Sequence, residues 1–130
     1  MSVQEKFKDQ INEMGKEQQR CIDIAGQKIG DDSPVFVIAE AGNNHMCNMD
    51  LAREMVDKAC EAGADAIKFQ TYKAGKLVRK EATSYWEGKE ISQLDYYSRL
   101  DKFGADEYRV LFEYAREKGI IPFSTPFDMD

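Results

Sequence analysis

Residues 62–71 read Ala62-Gly-Ala-Asp-Ala-Ile-Lys-Phe-Gln-Thr71, and their pattern indicates the fold class. An apolar helical stripe precedes it, Gly63 occupies the position where helices commonly end, and the run from Asp65 onward predicts a strand. Alternate side chains of a strand share a face, so Lys68 and Gln70 point one way and the apolar residues beside them point the other way. A helix, a glycine and a strand in this order are typical of a parallel α/β fold.

The residues upstream supply the first half of a βαβ unit. The apolar run Val35–Ala39 predicts a strand covered on both faces. The stretch Glu40–Cys47 is then expected to be a loop, and Asn48 or Asp50 is expected to cap the helix that follows. We therefore predict two parallel strands joined by a helix.

The residues downstream repeat the unit with a longer connection. A helix is predicted from Asp106 to Lys118, and the next strand from Ile120 to Thr125. The polar stretch from Tyr72 to Leu100 lies between the second strand and this helix. Long segments after a strand are usually functional, so we interpret this one as a mobile lid over a site.

The first thirty residues form two predicted elements. Residues 1–20 carry apolar side chains at helical spacing, which predicts an amphipathic helical arm. Residues 21–30 predict a β-hairpin with an Ala-Gly-Gln turn. The predicted organisation is a helical arm over 1–20 and a parallel α/β domain over 21–130.

Composition narrows the classes of function. The chain has 130 residues, 42% of them hydrophobic, and a net charge of −6. An acidic chain of this kind is a poor binder of nucleic acid and of anionic membranes. Neither a secretory signal nor a membrane-spanning run is recognisable, which predicts a cytoplasmic protein. Three widely spaced cysteines fit reduced thiols, with a reactive role for Cys47 as the alternative.

Lys68 is the strongest candidate for chemistry, because an inward lysine is costly unless it meets an anion. One interpretation is an anionic ligand for Lys68 and a hydroxyl-bearing ligand for Gln70. Another is a structural ion pair with Glu40, whose own alternative role is an acid/base or orienting group. A Schiff-base lysine is a third possibility.

Two further features have a modest expected role. His45 is the only histidine, and in a loop rich in Gly and Asn it is more often hydrogen-bonded than a metal ligand. A basic run of four residues is expected to be a solvated loop, with attraction of phosphate as the alternative. This run comprises Lys73, Lys76, Arg79 and Lys80.

Three blocks of the sequence resemble the N-terminal part of the sialic acid synthase family. The first is Val37-Ile-Ala-Glu-Ala-Gly-Asn-Asn-His45, the second is residues 62–71, and the third is Lys118-Gly-Ile-Ile-Pro-Phe-Ser-Thr-Pro-Phe127. The family includes N-acetylneuraminate, legionaminate and pseudaminate synthases, and relatives in spore-coat polysaccharide synthesis. The resemblance implies the N-terminal portion of a (β/α)₈ TIM barrel, about three of eight strands, truncated at the C-terminus.

The resemblance also implies a reaction. The family condenses phosphoenolpyruvate with an N-acetylated amino sugar, giving a nonulosonic acid and phosphate. A divalent metal, Mn²⁺ or Mg²⁺, polarises the sugar aldehyde, but its histidine ligands belong to later strands and no metal ligand is expected in this chain. A cytoplasmic homodimer is expected for the full-length protein.

The same resemblance implies roles for individual residues. Lys68 matches a catalytic lysine that contacts phosphoenolpyruvate, and the pair Ser124 and Thr125 matches its binding site. Gln70 matches a glutamine that holds the sugar, and Glu40 matches a catalytic glutamate. Asn44 and His45 are assigned a loop role.

Two alternatives to this function stay open. The chain could belong to an aldolase-type barrel with Lys68 as its Schiff base, or it could be a non-catalytic truncated product. The 130-residue chain by itself is expected to be inactive.

Overall fold

The computed structural model describes residues 21–83 and 91–128. The chain divides into two compact units, Met1–Val35 and Phe36–Asp130. The helical arm predicted for residues 1–20 lies outside the described residues, and the proposed domain boundary after residue 20 stays a prediction.

The first unit contains the predicted hairpin. Strands β1 (Cys21–Ile24) and β2 (Gln27–Gly30) pair antiparallel. The connection is a two-residue turn, in which Ala25 and Gly26 both have positive φ angles of 51° and 88°, as a hairpin turn of the primed type requires. Gln27 lies in the strand, so the prediction of a three-residue turn is wrong by one residue.

The second unit is built on a parallel sheet of three strands in the order β3-β4-β5. These are β3 (Ile38–Gly42), β4 (Ala66–Thr71) and β5 (Ile121–Pro126). The predicted parallel βαβ order is confirmed, and β4 is the central strand. The connections between the strands of this sheet carry two 13-residue helices, α1 (Met49–Glu61) and α4 (Ala105–Glu117).

The start of β3 differs from the prediction. Val35 is 86% exposed, so this end of the run is not covered on both faces. The backbone of Val37 bonds to the turn before β4: its N–H donates to Asp65 Oδ2 at 2.7 Å, and its carbonyl accepts from the N–H groups of Asp65 and Ala66. The strand begins at Ile38 and ends at Gly42, so the prediction that the loop starts at Glu40 is wrong by three residues.

One face of the sheet and the two long helices enclose the core. Phe69 is fully buried at the centre of β4, Val56 is fully buried on α1, and Leu111 is fully buried on α4. Burying side chains of this size contributes about 1.5–3 kcal/mol each. The apolar face of β4 therefore packs against the helices, as the alternation predicted. The face that carries Lys68 points away from them.

The segment between β4 and α4 is more structured than a simple loop. It contains the short helices α2 (Ala74–Leu77) and α3 (Gln93–Arg99). Asp101 holds the two ends of this segment together. The Asp101 carboxylate lies 2.9 Å from Lys73 Nζ and accepts a 2.9 Å hydrogen bond from the Ala74 N–H. Any lid movement would therefore involve the residues between Ala74 and Asp101, and the lid role stays a prediction.

Helix α1 begins at the residue that the sequence indicated. Asn48 Oδ1 accepts the backbone N–H groups of Asp50 and Leu51 at 2.9 and 3.1 Å. The other predicted cap, Asp50, lies inside the first turn, where its charge favours the helix dipole.

We expect Asn48→Ala to lower the free energy of unfolding by about 1 kcal/mol, because two helix N–H groups lose their acceptor. Asn48→Asp keeps an acceptor oxygen and serves as the matched control. Urea unfolding followed by circular dichroism measures both. Equal losses in the two variants would show that the cap does not stabilise the helix.

Candidate active site

The side chains of Glu40 and Lys68 meet on the face of the sheet that the helices leave free. The two residues are register partners on β3 and β4, and Lys68 Nζ lies 2.9 Å from Glu40 Oε2. The side chain of Lys68 is 33% exposed and that of Glu40 is 47% exposed, so the pair is open to solvent. An ion pair this exposed contributes at most about 1 kcal/mol to stability. The structural alternative for Lys68, an ion pair with Glu40, is thus present in the structure, and a ligand role for Lys68 stays a prediction.

Gln70 lies on the same face, one alternation further along β4. A β-bulge brings it close to Glu40: Glu40 pairs with Lys68, but Gly42 pairs with Phe69, so β3 has one extra residue over this step. A Cβ atom built on Gly42 would lie 3.4 Å from Glu40 Oε1 and 3.8 Å from Gln70 Nε2. Three of the predicted residues are therefore brought together.

The structure separates the predicted pair Ser124 and Thr125. Thr125 is the register partner of Gln70, so its side chain lies on the face of the ion pair. Ser124 is the partner of Phe69, on the helix side, and its hydroxyl lies 3.1 Å from Thr71 Oγ1. Of the two, Thr125 is the residue placed beside the other candidates, and a ligand role for either stays a prediction.

Two contacts that support the site were missed by the sequence reasoning. The Tyr108 hydroxyl, on α4, donates a 2.9 Å hydrogen bond to the Gln70 carbonyl and so fixes the end of β4. Burial raises the pKa of Tyr108, which keeps the hydroxyl a donor. Asn43 Nδ2 donates to the Tyr72 hydroxyl at 3.1 Å and links the ends of β3 and β4. The signal for Tyr108 was its place on the apolar stripe of the predicted helix.

His45 is packed into an aromatic cage rather than exposed at the site. It is 1% exposed, stacks on Phe103 with ring centres 4.9 Å apart, and meets Phe69 and Tyr108 edge-on. Its Nδ1 accepts the Cys47 N–H at 3.2 Å. Burial lowers the pKa of the imidazole, so the neutral form is favoured. His45 is thus hydrogen-bonded within the turn that follows β3, and its role in the site stays a prediction.

The surroundings of His45 do not fit a resident metal. Its Nδ1 is used within the turn, and its Nε2 is buried without a hydrogen-bond partner in the described part of the chain. In residues 21–83 and 91–128, His, Cys, Asp and Glu form no group of three or more that could hold a metal ion. Asn44 lies exposed in the same turn, with its N–H bonded to the Ala41 carbonyl at 3.1 Å.

Cys47 connects this turn to the residues that precede α4. Its thiol lies 3.0 Å from the Leu100 carbonyl, to which it donates, and accepts the Lys102 N–H at 3.3 Å. The three cysteines are free thiols. These two contacts favour a structural role for Cys47 over a reactive one.

A cavity of about 250 Å³ lies at the carboxyl ends of β4 and β5, beside the start of α4. Thr71 and Pro126 border it, and both occupy the helix-side positions of their strands. The ion pair lies on the other face. The lining also contains the aromatic residues Tyr72, Phe103 and Tyr108.

A parallel α/β sheet with charged and amide side chains at the ends of its strands defines a class, the α/β enzymes whose active sites lie at that edge. The NeuB family model matches residues 55–130. The chain therefore belongs to the NeuB family.

Curated relatives agree with this assignment. The chain is 40% identical over 107 residues to the spore coat polysaccharide biosynthesis protein SpsE of Bacillus subtilis, covering 81% of this chain and 28% of that protein. It is 40% identical over 103 residues to the N,N'-diacetyllegionaminic acid synthase of Legionella pneumophila, covering 76% and 29%. It is 36% identical over 111 residues to human N-acetylneuraminate-9-phosphate synthase, covering 81% and 30%. The chain thus spans less than a third of the length of these relatives.

Solved structures show the same likeness. The sialic acid synthetase of Leptospira borgpetersenii, solved with citrate, superposes with a TM-score of 0.70 at 38% identity, covering 85% of this chain and 35% of that one. SpsE of Bacillus subtilis superposes with a TM-score of 0.62 at 37% identity, covering 84% and 28%. None of the helices in the described ranges is both long enough and apolar enough to span a membrane.

We expect the stability of the chain to fall as the pH drops below about 6.5, where an unfolded histidine gains a proton that the buried imidazole resists. The loss is at most about 1.4 kcal/mol per pH unit, and it continues until the pH reaches the lowered pKa of His45. Thermal unfolding between pH 8 and pH 5 measures it.

The variant His45→Gln lacks the imidazole that gains the proton, and it serves as the comparison for the unsubstituted chain. Its unfolding temperature should depend less on pH over this range than that of the unsubstituted chain. Parallel curves for the two proteins would mean that burial of His45 does not couple folding to pH.

Proposed function

We propose that this chain supplies part of the active site of a synthase that condenses phosphoenolpyruvate with an N-acetylated amino sugar, giving a nonulosonic acid and phosphate. The three strands would form part of a (β/α)₈ barrel, with the face of Glu40 and Lys68 toward its interior. Family membership supports the general chemistry, and the convergence of Glu40, Lys68 and Gln70 on one open face supports its location. The proposed synthase is a cytoplasmic homodimer.

Lys68 is proposed as the cation that binds phosphoenolpyruvate. This substrate carries several negative charges, and an ammonium group on an open face is a natural partner for one of them. Glu40 Oε2 lies 2.9 Å from this ammonium group. Phosphoenolpyruvate would then compete with Glu40 for the ammonium group. The carboxylate of Glu40 would be released toward the acceptor sugar.

Gln70, Glu40 and Thr125 are proposed as polar neighbours of the substrates. A carboxamide and a carboxylate on one face can bind hydroxyl groups of a sugar. Thr125 lies beside Gln70 in register, where its hydroxyl would reach a ligand between β4 and β5. Ser124 is proposed to act with Thr125, although its present hydrogen bond turns it toward Thr71.

The family resemblance implies a divalent metal that activates the sugar aldehyde. The described residues do not fit a metal site, so we assign it no step here. The chain's own contribution is to bind phosphoenolpyruvate, to orient the sugar and to hold the carboxylate of Glu40 near both.

The Schiff-base alternative makes a different demand on Lys68. Imine formation requires a free amine, whereas the Lys68 ammonium group is engaged by Glu40. The ion pair therefore favours electrostatic binding over covalent catalysis.

We expect Lys68→Met to lower kcat/KM for phosphoenolpyruvate by about thirtyfold, measured in a synthase that contains this chain. The expectation follows from a cost of about 2 kcal/mol for an anion that loses its partner. The matched control is Lys58→Met, because Lys58 forms an ion pair of similar length with Glu61 on the exposed face of α1. Equal kinetics in the two variants would assign Lys68 a structural role.

We also expect no covalent adduct when a synthase that contains this chain is treated with borohydride in the presence of pyruvate. Mass spectrometry of the intact chain gives the result, with Lys68→Met as the comparison. A mass increase that disappears in the variant would establish the aldolase-type alternative instead.

A further inference from the structure

Gly42 lies at the point where β3 and β4 fall out of simple register. It is buried, has a left-handed backbone with φ of 57°, and follows the extra residue of the bulge. This conformation favours glycine for steric reasons alone. The surroundings of Gly42 set it apart from the other glycines with positive φ.

A side chain on Gly42 would enter the space between two candidate site residues. Its Cβ would lie 3.4 Å from Glu40 Oε1, 3.7 Å from Gln70 Cδ and 3.8 Å from Gln70 Nε2. By contrast, a Cβ on Gly63 or Gly119, whose φ angles are 76° and 83°, would meet nothing within 4 Å. Backbone strain is common to the three positions, whereas contact with polar side chains of the site is specific to Gly42.

The two carboxylate oxygens of Glu40 face different neighbours. Oε2 is 2.9 Å from Lys68, and Oε1 borders the space above Gly42 together with the Gln70 amide. The position that a Gly42 Cβ would take is thus within 4 Å of both a carboxylate oxygen and a carboxamide nitrogen. A hydroxyl group, which donates and accepts, matches this combination.

We infer that Gly42 is a positioning residue for the acceptor sugar: its missing side chain leaves the space in which Glu40 Oε1 and the Gln70 amide converge on one hydroxyl group of the sugar. The inference rests on the proposed function and deepens it. A Cβ on Gly42 would lie at ordinary contact distance from Glu40 and Gln70, and it would fill the space that the hydroxyl needs.

The test compares Gly42→Ala and Gly42→Asn in a synthase that contains this chain, by steady-state kinetics with each substrate varied separately. Asparagine tolerates a left-handed backbone better than alanine but is larger. If backbone strain decides the outcome, Asn is the milder substitution; if occupation of the space decides it, Asn is the more harmful one.

We expect Gly42→Ala to raise the KM for the sugar about tenfold, the equivalent of one lost hydrogen bond. Gly42→Asn should raise it further, to about a hundredfold, as a second hydrogen bond is lost. The KM for phosphoenolpyruvate should change by less than about twofold in both, because the Lys68 ammonium group is outside the filled space.

Gly63→Ala and Gly63→Asn are the matched controls, since they carry the same backbone strain in open space. Their two KM values should equal those of the unsubstituted synthase, and their unfolding temperatures give the cost of strain alone. The inference is overturned if the Gly42 variants match the Gly63 variants, if Asn is milder than Ala, or if both substrates are affected alike.

Failure of the proposed function would look different. An unsubstituted synthase that releases no phosphate from phosphoenolpyruvate with any N-acetylated amino sugar would contradict the function itself. An active synthase in which the Gly42 variants keep a normal KM for the sugar would overturn the Gly42 inference alone.

Discussion

The central strand β4 has one apolar face and one polar face, and this difference determines where the core and the candidate site lie. Burial of Phe69 between the sheet and the two long helices fixes which face of β4 turns inward to the core. Since strand side chains alternate, the same burial forces Lys68 and Gln70 onto the opposite, open face. A shift of one residue in the pairing would exchange the two sets, so the packing energy of the core also specifies the position of the site.

Neighbouring segments refine this placement. The bulge in β3 brings Gly42 against Gln70, and Tyr108 holds the Gln70 carbonyl from the helix side. The turn after β3 is anchored by the buried imidazole of His45, which stacks on Phe103. The site face is thus held by contacts that originate in the core, an arrangement suited to keeping polar groups in fixed positions before substrate binds.

The sequence predicted the parts of this structure that follow from periodicity. The parallel strands, the cap at Asn48 and the two faces of β4 all derive from local patterns, and the family resemblance was confirmed by the comparisons. The bulge at Gly42 and the aromatic cage around His45 depend on contacts between distant segments, which spacing does not reveal. The start of β3 was misjudged because an apolar run does not show which of its residues find a partner strand.

The central claim is that phosphoenolpyruvate binds on the open face of the sheet, at Lys68. A crystal structure of a synthase containing this chain, with phosphoenolpyruvate bound, tests it most directly. The account predicts an anionic oxygen of the ligand about 3 Å from Lys68 Nζ, with Glu40 Oε2 displaced from its present position. Phosphoenolpyruvate bound instead in the cavity bordered by Tyr72, Phe103 and Tyr108, with the ion pair intact, would contradict the account.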